Sequence, residues 1–91
     1  MNSKELEKVN LLLLSERSKE AQELFDKIEP EETIEYLITK GKLDQKFQRW
    51  GKAINAYNRT LSLDSENKEA KSNLQFIQNI LNFWNPETFN P

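Results

Sequence analysis

Apolar residues recur along this chain at helical spacing, and each striped segment ends in a cluster of turn-forming residues. Trp50, Ala53, Ile54, Tyr57 and Leu61 fall at i, i+3, i+4, i+7 and i+11, one face of an α-helix. The segment before it has two apolar faces, Ile34, Leu37, Ile38 and Gly41 on one and Tyr36, Leu43 and Phe47 on the other. A helix apolar on two faces needs a neighbour on each side. Gln48 and Arg49, just before Trp50, mark the turn between the two helices. Gly41 is expected in mid-helix, where glycine costs about 1 kcal/mol against alanine. Close approach of another backbone is a reason to keep it, with Ala53 as the small partner on the next helix.

The flanking segments show the same period. Ser3 is placed to cap a first helix, with Glu5 and Glu7 in its first turn. Leu6, Val9 and Leu13 make its stripe, broadened by Leu11, Leu12 and Leu14, and residues 15–18 break the pattern. Ser18 is placed to cap a second helix with the apolar face Ala21, Leu24, Phe25 and Ile28, and Pro30 either ends it or opens the next one. After Asp64, Ser65 and Asn67, which are capping residues, a fifth helix is expected over 68–84. Its first stripe is Ala70, Leu74, Ile77, Leu81 and Trp84, and its second is Phe76, Ile80 and Phe83. Asn85 and Pro86 end it, leaving a tail over 85–91.

Residues 34–67 resemble a tetratricopeptide (TPR) repeat: they span the 34-residue period of that family. Gly41 stands at the small-residue position of the first helix, four residues after Leu37. Ala53, Ile54 and Tyr57 match the alanine and aromatic positions of the second helix, and Leu61, Leu63 and Asp64 match the exit. Lys40, Asp44, Thr60 and Ser65 depart from the usual leucine, tyrosine, alanine and proline. Residues 1–33 look like a degenerate first repeat, with Ala21 corresponding to Ala53 and Phe25 to Tyr57 at an offset of 32. The two-residue shortening is assigned to the loop around 30–33. Residues 68–91 are too few for another pair, and 68–84 look like a terminal capping helix. The resemblance implies one all-α domain over 1–91: about five helices, in antiparallel hairpins forming a short right-handed stack.

Composition narrows the chemistry. The chain has no Cys and no His, which removes disulfides, thiolate ligands and the commonest metal ligand and general base. The carboxylate pairs Glu20/Glu23, Glu31/Glu32 and Glu66/Glu69 lie at helix starts or on polar faces, where dipole complement and solvation account for them. There is no glycine-rich phosphate loop. No enzyme activity, metal site or cofactor is expected. The apolar run over 11–14 is far short of the ~18 residues a membrane span needs and does not look like a signal peptide. A cytoplasmic protein with no membrane or nucleic-acid partner is the expectation. Net charge is −2 but uneven: −4 over 1–33, +4 over 34–63 and −2 over 64–91. The basic middle is either a solvated face or a docking surface for an acidic segment.

The family resemblance implies a non-catalytic adaptor role, in which the first helix of each pair lines a concave groove that holds a protein or peptide partner. Carried to this sequence, the groove is expected along Glu35, Ile38, Lys42, Gln45 and Lys46, with Asn73 and Phe76 at its far end. Some members grip a carboxylate with a Lys/Asn/Arg set, which would fall on Glu35, Ile38, Lys42, Glu69, Ser72 and Asn73. Only Asn73 matches in place and Lys42 in altered form, so that clamp is not expected. The alternative is a self-assembling module: Phe76, Ile80 and Phe83 need a cover, which a second copy or the tail aromatic Phe89 would provide.

Overall fold

A computed structural model describes residues 2–84, the side chain of Trp84 apart. The expected docking of Phe89 lies outside the described residues. Within them the chain is all-α, with five helices: α1 Ser3–Leu14, α2 Ser18–Asp26, α3 Ile34–Lys46, α4 Trp50–Leu63 and α5 Lys68–Trp84. The element order and the α5 bounds match the hydrophobic pattern.

Local chemistry sets the ends. The Thr33 hydroxyl accepts from the Tyr36 N–H at 3.2 Å to cap α3, and Asn67 Oδ1 accepts from the Ala70 N–H at 2.9 Å to cap α5. Two expected caps are not used: Ser3 and Ser18 are the first helical residues, after Asn2 and Arg17, neither of which caps through its side chain. The turns after α1 and α3 are built alike. Glu16 and Gln48 both sit at φ 60°. The Arg17 N–H donates to the Leu12 carbonyl at 2.9 Å, and the Arg49 N–H to the Asp44 carbonyl at 2.7 Å. This is the Schellman closure, in which one left-handed residue turns the chain and satisfies the last carbonyls. The two turns are 32 residues apart, the offset that relates Ala21 to Ala53 and Phe25 to Tyr57. An internal repeat is therefore written in the backbone as well as in the apolar stripe.

The shortening of the first repeat is not in the loop, as expected, but in the helix. α2 has 9 residues against 14 in α4, whereas the connection over 27–33 is longer than that over 64–67.

α3 packs against all four other helices, as its two apolar faces required. One core cluster joins Leu6 and Val9 of α1, Ala21 and Phe25 of α2, and Tyr36, Leu37 and Leu43 of α3. Within it the rings of Phe25 and Tyr36 stack at 4.8 Å. The other joins Ile38 to Ala53 and Tyr57 of α4 and to Ala70 and Ile77 of α5. Leu37 thus belongs with Tyr36 and Leu43, not with Ile38, while Ile34 and Phe47 remain partly exposed. The α3–α4 contact also differs from the expected pairing. Gly41 faces the ring of Tyr57: a Cβ added at Gly41 would lie 2.6 Å from its Cε1. Glycine is kept for a ring rather than for the backbone at Ala53, although Ala53 itself is fully buried.

Candidate functional site

α1 and α5 lie on opposite flanks of α3, and these two helices do not pack on each other. The space between them is a groove of about 530 Å³. Its floor is Lys42, Gln45 and Lys46 of α3, with Gln48 from the α3–α4 turn and Trp50 at the start of α4. One wall is Asn10, Leu13 and Leu14 of α1, and the other is Asn73, Phe76 and Ile80 of α5.

Of the seven expected groove residues, five line this space: Lys42, Gln45, Lys46, Asn73 and Phe76. Glu35 and Ile38 do not. Glu35 is two turns away along α3, where its carboxylate accepts from Ser3 Oγ at 3.0 Å. Ile38 is 6% exposed and packs in the core with Ala53 and Tyr57; its spacing put it on the groove face, but the α4–α5 layer covers it. Of the residues expected for self-association, Phe76 and Ile80 form the groove wall, so the two expected surfaces share residues. Phe83 is exposed and lies outside the lining.

Sequence reasoning did not assign Asn10, Leu13, Leu14, Gln48 or Trp50 to the groove. A signal for three of them was present. Subtracting the 32-residue offset from Lys42, Gln45 and Lys46 gives Asn10, Leu13 and Leu14. The two halves present equivalent positions, charged and amide on α3, apolar and amide on α1.

The lysines are not free. Lys42 Nζ lies 3.2 Å from Glu69 Oε2 on α5, and Lys46 Nζ lies 2.6 Å from Glu16 Oε2 in the α1–α2 turn. Both pairs are half exposed, and such pairs contribute about 0.2–1 kcal/mol each. They string the lysines across the walls and bring the rim to zero formal charge. Burying one aromatic or leucine side chain in the groove is worth about 1.5–3 kcal/mol, so the apolar lining outweighs the charges. Phe76 is 52% exposed and Leu14 80% exposed, and both are available for that burial.

Buried groups set the floor. The Tyr57 hydroxyl donates to Gln45 Oε1 at 2.8 Å, which orients the Gln45 amide from below. Burial, with the nearby carboxylates of Glu69 and Asp44, pushes the Tyr57 phenol above its ordinary range, so this donor stays protonated. Asn10 Nδ2 donates to the Leu6 carbonyl at 2.9 Å and to Thr39 Oγ1 at 3.0 Å, fixing the amide in the α1 wall. Its Oδ1 is buried and accepts no hydrogen bond among the described residues.

Behind the groove, Asp44 is the centre of a buried polar cluster. Its buried carboxylate accepts from Arg49 Nε and from Lys40 Nζ, both at 2.8 Å, and Arg49 Nη2 reaches Gln22 Oε1 at 2.6 Å. The cluster ties the α3–α4 turn to α2.

Among the described residues no group of His, Cys, Asp or Glu is arranged to hold a metal ion, and no helix is long and apolar enough to cross a membrane. No family model, curated protein or solved structure matches the chain.

Proposed function

We propose that this protein is a non-catalytic interaction scaffold that holds a peptide or protein segment in the groove between α1, α3 and α5, in the manner of a short TPR-like stack. The observation that carries the reading is the groove: about 530 Å³, open, with Leu14 and Phe76 exposed on facing walls. Monomeric proteins rarely leave such surfaces contiguous without a use for them. The 32-residue repeat of turns and of lining positions supports a stacked architecture, in which the first helix of each pair faces the groove. The lining offers amides, apolar side chains and ion-paired lysines, a set suited to holding a chain rather than transforming it.

The test is selection of random peptides on the purified chain, followed by affinity measurements with Leu14→Ser and Phe76→Ser. Leu14 is largely exposed and Phe76 half exposed, so the fold should survive, as circular dichroism will check. Selected peptides should lose at least about tenfold in affinity, or about 1.4 kcal/mol. Failure to enrich any peptide, or peptides indifferent to both changes, refutes the groove.

A homodimer through α5 is the second reading, favoured by the half-exposed ring of Phe76 beside Ile80. Sedimentation velocity at increasing concentration separates the two. A dimer abolished by Ile80→Glu supports self-assembly, and a monomer at every concentration removes it.

A further inference from the structure

Resting on the groove reading above, we infer that the segment it takes is extended, uncharged and built around an aromatic residue, not an acidic one. The basic middle of the sequence points toward an acidic ligand, but the tertiary structure cancels that charge locally. Lys42 and Lys46 are bonded to Glu69 and Glu16, and the carboxylates are the more exposed members: their side chains are 53% and 74% exposed, against 34% and 38% for the lysines. An approaching acidic residue meets Glu16 and Glu69 first and must displace them to reach a lysine. Each exchange replaces one exposed ion pair by another and gains little.

The remaining lining is apolar or amide. Leu14 of α1 and Phe76 of α5 are exposed in a lining that also includes Trp50, an apolar surface that suits an aromatic side chain. Around it stand Gln45, Gln48 and Asn73. Primary amides donate and accept without charge, matching the free N–H and C=O groups of an extended backbone; a helix would bring those groups already bonded to each other. Gln45 spends its carbonyl on Tyr57 and so presents its NH2.

The experiment uses peptides selected from a random library on the full chain, sorted by their sensitivity to Phe76→Ser. Groove-directed peptides should average near zero net charge and share an aromatic residue, whose change to alanine weakens binding at least about tenfold. Their affinity should change less than about twofold between roughly 0.05 and 0.5 M salt. The variant Glu16→Gln with Glu69→Gln frees the lysines, so an acidic version of the same peptide should bind it at least several-fold better than it binds the natural chain. The inference is overturned if groove-directed peptides are acidic, weaken about tenfold over that salt range, and bind the double variant no better. It is also overturned if the groove is closed by a second copy, seen as a dimer dissociated by Phe76→Ser. Peptides indifferent to Phe76→Ser would instead overturn the groove reading itself.

Discussion

Replacing Gly41 with alanine probes the packing that positions the groove floor. The added Cβ would lie 2.6 Å from Tyr57 Cε1 and 2.7 Å from Cζ, whereas ordinary contact begins at 3.4 Å, so the ring must retreat by about 0.8 Å. It has little room. Tyr57 is fully buried, and its hydroxyl is held by Gln45 at 2.8 Å. Alanine gains about 1 kcal/mol of helix propensity over glycine. Against that stand overpacking, about 1–3 kcal/mol, and strain or loss of the Tyr57–Gln45 bond, about 1 kcal/mol. The balance is a loss of about 1–3 kcal/mol. For a domain of this size each kcal/mol lowers Tm by roughly 4–8 °C. Thermal and urea unfolding followed by circular dichroism measure it. Two controls separate the clash from propensity. Gly51, with nothing within 4 Å of an added Cβ, should accept alanine with no loss of stability. In a Tyr57→Leu background, Gly41→Ala should change sign and stabilise. A Gly41→Ala protein that melts no lower than its parent, or an equal cost in both backgrounds, refutes the assignment of Gly41 to the Tyr57 ring.

Three further outcomes follow from the same contacts. Ala53→Phe places a ring at a site with no exposure and should cost about 1–3 kcal/mol, read as a lower urea midpoint. Gln48→Gly relieves a left-handed residue at φ 60° and should raise stability by up to about 1 kcal/mol; a lower Tm would contradict the turn geometry. Burial is the main cause that raises the phenols of both Tyr57 and Tyr36 above the ordinary 10.0. The unfolded chain therefore loses these protons first. Their contribution is intact below pH 10 and falls above it, for Tyr57 by up to about 1.4 kcal/mol per pH unit. Urea unfolding between roughly pH 9 and 11 should show a shallower fall for Tyr57→Phe than for the natural chain, and equal slopes would remove Tyr57 as a source.

The sequence by itself determined the number and order of the helices and the buried stripes of α4 and α5. Helix periodicity is a local property: Ala53, Tyr57, Ala70 and Ile77 announce their buried stripes through spacing alone, and all are buried. The glycine at 41 and the offset of 32 were also legible, because a mid-helix glycine and a repeated small–aromatic pair are unusual without tertiary cause. The partner of Gly41 was not legible, since Ala53 and Tyr57 lie one turn apart on the same face and only the depth of helix contact selects the ring. Nor was the state of the lysines. Lys42–Glu69 and Lys46–Glu16 join residues on different elements, and no helical spacing encodes such a pair. The same limit applies to Ile38, which shares a helical face with Lys42, yet the α4–α5 layer covers the one and leaves the other at the groove. Periodicity fixes which residues point the same way along a helix. How far apart α1 and α5 stand, and therefore which stretch of that face stays open, is decided only when the two cores pack on opposite sides of α3.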